Sequence, residues 1–280
     1  MRQYYLLFYM LVGIYCINAR ENISKLDWNA QDYEMNSAFQ DEVAMLALSK
    51  IQLHGNEIIL DSGCGNGKIT AMLAKNVLLG IVQGIDVSEN MISYAREHYT
   101  FSNLFFNVAD IESFSSNIMY DYVVAFSVLA WIKDQEQALR NIKAILAPGG
   151  HFIATIDNED DSYLRARYAM FTHDTWKDFF KDYEVPYYPF HEDKIRNLLQ
   201  QAGFVNITIQ KIIAPSMYVS QDEFIAMLSM IPAQKDMIPE ERHKEFFDDI
   251  VKEYIKEVPL NDEGKVELIF TEFIVMADKL

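Results

Sequence analysis

The chain has 280 residues, is 50% hydrophobic with only 11 glycines and 7 prolines, and carries a formal net charge of −17, which excludes a disordered, collagen-like or low-complexity protein. The charge divides as −6 through residue 150 and −11 beyond it, so neither half offers the basic face that nucleic acid or an anionic membrane demands. Two cysteines, Cys16 and Cys64, are too few for a disulfide framework or a cysteine-built zinc site.

After Arg2, residues Tyr4 to Ile17 form an uncharged apolar run. It is shorter than the roughly 20 residues that span a bilayer. It resembles a signal peptide, with Ala19 at a cleavage position, although Ile17 is larger than the small residue preferred there. The other reading of residues 1–19 is an extra N-terminal helix on a domain that occupies 20–280. Membrane contact is expected only if residues 4–17 anchor the chain; otherwise the expected location is the cytoplasm.

Apolar residues at helical spacing predict a helix over Ala38 to Leu53, ended by Gly55 and Asn56. Strands are predicted at Glu57 to Leu60, Ile81 to Ile85, Leu104 to Val108, Tyr120 to Ala125 and His151 to Ile156. Helices are predicted between them at Lys68 to Leu79, Ser88 to His98 and Gln135 to Leu146. This alternation predicts right-handed crossovers and an α/β fold, a doubly wound, mostly parallel sheet of seven strands. A helix at Glu192 to Ala202, a strand at Val205 to Ile209 and an antiparallel last strand at Val266 to Met276 complete it. The intervening residues 157–190, aromatic-rich without a clean period, and 214–264, read as amphipathic helices carrying Met217, Met227, Met230 and Met237, are inserts. Both follow strands at the carboxyl edge of the sheet, where such sheets bind ligands, and are expected to form a helical lid with a mainly core role for its Met and aromatic stripes.

The strongest chemical signal is Ile58-Ile59-Leu60-Asp61-Ser62-Gly63-Cys64-Gly65-Asn66-Gly67-Lys68, a strand entering a glycine-rich turn that opens a helix. Glycines permit the sharp turn and let a ligand reach main-chain N–H groups. The spacing is not the Gly-x-Gly-x-x-Gly of dinucleotide sites, and Ile69 stands where a P-loop needs a hydroxyl. Asp86 closes the second strand, where a carboxylate accepts ribose hydroxyls or, alternatively, favours a helix N-terminus. Asp110 closes the third strand, as a ligand-facing acid or a plain turn residue. Cys64 reads as a small buried residue rather than a nucleophile. His151, His173 and His191 lack metal-ligand spacing, so no metal is assigned.

Asp61-x-Gly-x-Gly-x-Gly, followed in order by Asp86 and Asp110, resembles class I S-adenosylmethionine-dependent methyltransferases. The resemblance implies S-adenosylmethionine as cofactor, with Asp61 near its cationic part, Asp86 on the ribose, and Asp110 and Ile111 at the adenine. It extends the cofactor-binding set to Tyr33, Gly63, Gly65, Gly67, Val87, Met91 and Ser127. Ser127-x-x-x-Trp131 after the fourth strand and Tyr33-x-x-Asn36-Ser37-x-x-Gln40 near the N-terminus are similar to the trans-aconitate and juvenile hormone acid carboxyl methyltransferases. That branch implies a small-molecule methyl acceptor, with Gln40 and Trp131 holding a carboxylate through uncharged N–H donors, although Ala130 stands where the insect enzymes often carry His. A phenol, amine or carbon acid served by a histidine base is the alternative acceptor. A non-catalytic binding module of the same fold is the non-enzyme alternative.

Overall fold

The computed structural model describes residues 30–181, 187–213, 217–229, 234 and 237–280. The apolar run at 4–17, with Cys16, lies outside the described residues. Two helices, α1 (Ala30–Asn36) and α2 (Ala38–Leu48), precede an alternation of β1 (Ile58–Ser62), α3 (Lys68–Asn76), β2 (Ile81–Asp86), α4 (Glu89–His98), β3 (Leu104–Val108), β4 (Tyr120–Phe126), α5 (Gln135–Ile145) and β5 (Leu146–Asp157). Then follow α6 (Ser162–Ala169), α7 (Glu192–Ala202), β6 (Val205–Ile213), β7 (Met217–Val219), α8 (Gln221–Ser229), α9 (His243–Glu257), β8 (Val266–Leu268) and β9 (Thr271–Asp278).

Seven strands form one sheet in the order β3-β2-β1-β4-β5-β9-β6. Strands β1 to β5 run parallel, and β9 inserts antiparallel between β5 and β6. The central strands are continuous apolar runs because helices cover both faces: Ile59, Leu60, Val82, Val123, Val124 and Ile153 are inaccessible to solvent. Val43 and Ala47 of α2, Leu73 of α3 and Ile92 of α4 pack on one face, and Leu139 of α5 with Leu199 of α7 pack on the other. Local chemistry sets the helix ends. Ser88 Oγ accepts the Met91 N–H at 3.2 Å to start α4, Asp134 Oδ1 accepts the Gln137 N–H at 2.9 Å to start α5, and Gly203 at φ +83° closes α7.

Several predicted boundaries need correction. The strand predicted over Val266 to Met276 is two strands: β8 pairs with β7 in a separate ribbon, and only β9 joins the sheet. The helix predicted to Leu53 ends at Leu48, and the one predicted to Leu79 ends at Asn76, beyond which Leu78 and Leu79 are exposed. The aromatic stretch after residue 160 contains α6 and a 3-10 turn at Lys177–Phe180.

A third core joins α6, α8, α9 and the β7–β8 ribbon around Met170, Trp176, Phe180, Phe224, Phe246 and Tyr254. Trp176 donates its indole N–H to Asp249 at 2.9 Å. Of the methionines singled out, Met227 packs against this core and Met237 is exposed; Met230 and the side chain of Met217 lie outside the described set. The layer attaches at the carboxyl edge of the parallel strands. Asp161 Oδ1 accepts the Tyr163 N–H at 2.8 Å to start α6, while its Oδ2 accepts the Thr271 N–H at 2.8 Å at the start of β9. Among the described residues, no helix is long and apolar enough to cross a membrane.

Candidate active site

The glycine turn between β1 and α3 is held by backbone bonds that leave one opening. The N–H groups of Gly63 and Cys64 both reach the Ile85 carbonyl, at 2.8 and 2.9 Å. Gly63 has φ +76°, and a Cβ there would lie 2.3 Å from Val128 Cγ2. At Gly67 a Cβ would lie 2.7 Å from both Ala95 Cβ and Phe106 Cζ. Gly65, at φ +52°, is different: a Cβ would meet only Tyr33 Cε1, at 3.8 Å. Two of the three glycines therefore serve close packing, and Gly65 fronts space that a ligand can enter. Glu34 of α1 accepts from the Asn66 amide, and Lys68 bridges to Asp41 of α2 at 2.6 Å, so the N-terminal helices are latched to the turn.

The acids gather around this opening. Asp86 accepts the Gly65 N–H on Oδ2 and the Ser88 N–H on Oδ1, both at 2.9 Å. Burial raises its pKa, and the backbone donors at Ser88, Gly65 and Val87 oppose that rise. A carboxylate has about four lone-pair sites, so Asp86 pins the turn and keeps acceptor capacity for hydroxyl groups. Asp61, 2% exposed, accepts the Thr70 hydroxyl at 2.7 Å. Burial pushes its pKa up to about 7, with Thr70 opposing and the neighbouring Asp86 adding to the rise. A cation beside Asp61 would stabilise its ionised form. Tyr33 carries a phenol raised by burial and by the carboxylates of Asp41, Asp86, Asp61 and Glu272.

The remaining sequence-predicted residues lie at neighbouring strand ends. Ala109 N–H donates to the Asp86 carbonyl at 3.0 Å, tying the end of β3 to that of β2. Asp110 Oδ1 accepts the Glu112 N–H at 2.9 Å, and Ile111 is buried. Val87 is exposed beside Asp86, whereas Met91 is buried. Ser127 sits at φ +50° just past β4, with its N–H shared between the Thr155 carbonyl and hydroxyl at 3.1 and 3.0 Å. A non-glycine residue in the left-handed region is uncommon and concentrates at functional sites. Here it turns the chain so that Val128 covers Gly63.

Of the two residues expected to hold the acceptor, Trp131 is half-buried in the 3-10 turn Leu129–Trp131, its ring 4.7 Å from that of Tyr187 and inclined at 67° to it. Gln40 lies on α2 with a buried Oε1 that has no hydrogen-bond partner among the described residues. Sequence reasoning missed Asp157, Tyr187 and Glu272. Asp157 is hydrogen-bonded to Tyr187 and is pushed up to about 6 by burial, with Asp161 adding to the rise and Tyr187 and Arg167 opposing it. Both Glu272 carboxyl oxygens are buried, and among the described residues they have no donor beyond the Thr155 hydroxyl. The available signal was a lone acid inside the apolar run Phe273-Ile274-Val275 and its predecessors. Among the described residues, no group of three or more His, Cys, Asp or Glu is arranged to hold a metal ion.

A methyltransferase domain family matches residues 53–203, more than half of the chain and the whole span from β1 through α7. The chain belongs to this methyltransferase family. Its cofactor is S-adenosylmethionine, and the residues fit it: a sterically open Gly65, an acid with spare acceptor capacity and a buried acid suited to a cation. Among relatives, protein 235L of Invertebrate iridescent virus 6 is 33% identical over 160 residues, covering 57% of this chain and 60% of that protein. The juvenile hormone acid O-methyltransferase of Bombyx mori is 27% identical over 254 residues, covering 84% and 88%. The trans-aconitate 2-methyltransferase of Variovorax paradoxus is 31% identical over 153 residues, covering 54% and 58%. The chain thus spans about three-fifths of the viral and bacterial relatives and most of the insect one. The fold is shared with the YcgJ protein of Bacillus subtilis, at a TM-score of 0.62 and 14% identity over 85% of this chain and 98% of that one.

Proposed function

We propose that this methyltransferase transfers the methyl group to a carboxylate oxygen of a small, partly apolar acid. The observation that carries the reading is where the three histidines considered as bases, His151, His173 and His191, lie. His151, midway along β5, is paired with Asp278 at the end of β9 at 2.7 Å, toward the sheet edge opposite the glycine turn. His191 is exposed and paired with Glu159 at 3.2 Å, and His173 accepts the Thr175 N–H at 3.3 Å within the helical layer. A phenol or a protonated amine needs a base to remove its proton; a carboxylate arrives ready to attack. The likeness to the insect enzyme supports the same reading, because that match covers most of both chains.

S-adenosylmethionine, when bound, supplies a methyl group on a cationic sulfur. The chain's residues then act by placement. Asp86 holds the turn and receives hydroxyl donors, Asp61 favours the cationic end, and Tyr33 lies across from Gly65. Gln40 and Trp131 offer uncharged N–H donors to the acceptor, orienting one oxygen without burying a counter-charge that would blunt its nucleophilicity. The helical layer of α6, α8 and α9, within the inserts expected at 157–190 and 214–264, acts as a lid that excludes water.

Incubating the full chain with S-adenosylmethionine labelled on its methyl group and a panel of acids, phenols and amines tests the reading. A base-labile ester formed only with acids is the expected product. Label on an amine or phenol, with none on acids, would overturn it.

A further inference from the structure

The least explained group in the molecule is Glu272. It is 2% exposed, and among the described residues its two buried carboxyl oxygens have no donor beyond the Thr155 hydroxyl. An unsatisfied buried polar group is destabilising, and native proteins retain few of them. Its place in the sheet shows where it points. Across the antiparallel β5–β9 pair, Thr155 stands opposite Ile274 and Asp157 opposite Glu272. Opposed residues share a face and alternate along each strand, so Glu272 continues the face on which Ile274 packs with Val43 and Ala47 of α2. Gln40 lies one turn before Val43 and Ala44 on the same helix, and its Oε1 is likewise buried without a partner among the described residues. On the other flank, Asp157 is bonded to Tyr187, whose ring packs against Trp131. Glu272 therefore shares the sheet face covered by α2, the helix of Gln40, and is joined through Asp157 and Tyr187 to Trp131.

The groups facing Glu272 set its protonation. Asp157 on β5 and Asp161 ahead of α6 are both acids, and Thr155 contributes only a hydroxyl. Tyr33 on α1 lies within its electrostatic reach. The cation of this region, Arg167, bonds Gln234 at 3.0 Å and acts on Asp157 rather than on Glu272. Like charges directly opposite in a ladder repel, and two buried carboxyls that share a site keep a proton between them. Burial and the two neighbouring acids hold Glu272 well above the usual carboxyl range.

We propose that Glu272 is the hydrogen-bond donor of the acceptor pocket, presenting a protonated carboxyl to one oxygen of the acid while the other oxygen takes the methyl group. The inference rests on the carboxylate reading above. The new O–C bond forms from an acceptor lone pair as the C–S bond breaks with its pair going to sulfur, and the proton stays on Glu272 throughout. A pocket lined by acids thereby accepts an anion: its acidic groups donate rather than repel.

The test compares the full-length wild type with Glu272→Leu and Glu272→Gln, measuring acceptor KM and kcat from acid pH to the alkaline limit of the folded protein, S-adenosylhomocysteine affinity and Tm. Loss of one hydrogen bond to a charged group raises the acceptor KM of Glu272→Leu roughly 10- to 100-fold, with S-adenosylhomocysteine affinity within about threefold and Tm raised, because an unsatisfied buried acid has been replaced by an apolar side chain. Wild-type KM rises with pH as Glu272 loses its proton. In Glu272→Gln, whose amide donates at every pH, that rise disappears. An unchanged acceptor KM in Glu272→Leu, a lowered Tm with weakened S-adenosylhomocysteine binding, or the same pH rise in Glu272→Gln would each overturn the proposal and leave the carboxylate reading standing. A wild type that methylates amines and no acids would overturn both.

Discussion

The three glycines of the turn make separable predictions, because the structure gives each a different neighbour. Gly65→Ala places a methyl group 3.8 Å from Tyr33 Cε1, an ordinary contact, so its cost to the fold is the left-handed backbone alone, about 1 kcal/mol. For a chain of this size that lowers Tm by roughly 2–4 °C. Gly63→Ala carries the same backbone strain and adds a methyl group 2.3 Å from Val128 Cγ2 and 2.7 Å from its Cβ. Overpacking of that kind adds about 1–3 kcal/mol, for a total of about 2–4 kcal/mol. Cofactor binding follows the opposite order of cause. Gly65→Ala fills the opening itself, so S-adenosylmethionine affinity falls at least about 10-fold in a protein that still melts near the wild type. Differential scanning calorimetry with titration calorimetry on the three proteins reads both quantities. Wild-type affinity in Gly65→Ala would refute the assignment of the opening, and equal Tm losses at positions 63 and 65 would refute the packing argument.

Three further outcomes follow from the same geometry. Asp61 holds its proton up to about pH 7 in the fold, whereas an unfolded Asp ionises near 3.9; stability is therefore full below about pH 4 and declines as pH rises toward 7, the sign for an acid whose folded pKa is raised. Asp61→Asn removes that decline and raises the ligand-free Tm at pH 8, and an unchanged Tm–pH profile would contradict it. Trp131→Phe keeps an aromatic side chain but removes the indole N–H, so acceptor KM rises about 10-fold with S-adenosylhomocysteine affinity unchanged; the same KM as the wild type would remove Trp131 from the acceptor site. Gln40→Ala raises acceptor KM by a similar factor without lowering Tm, since its Oε1 makes no bond in the fold, and a large fall in Tm would mark it as structural.

The residues proposed to hold the cofactor could be picked out in the sequence because their physics is local. A strand that must end, a turn that must tolerate positive φ and an acid at each following strand tip all fall within short windows, and Asp61, Gly65 and Asp86 meet as expected. The parallel core was readable for a similar reason: strands buried on both faces appear as unbroken apolar runs. The acceptor half was not. Glu272 and Asp157 are 115 positions apart and meet only because β9 inserts antiparallel beside β5, a pairing that no local pattern announces. The single strand expected over Val266 to Met276 divides because Val266 to Leu268 finds its partner in β7, and Met217 to Val219 is too short to register as a strand. The aromatic stretch around Trp176 lacks helical period because its side chains pack into a third core from short turns rather than from one helix face.

The central claim is that the opening at Gly65, floored by Asp61 and Asp86, binds S-adenosylmethionine. Titration calorimetry of the full chain with S-adenosylmethionine and S-adenosylhomocysteine, repeated on Asp86→Ala, tests it most directly. Micromolar binding of both by the wild type, weakened at least about 100-fold in a folded Asp86→Ala, is the predicted result. Binding of neither ligand by a folded wild type, or undiminished binding by the variant, would contradict it.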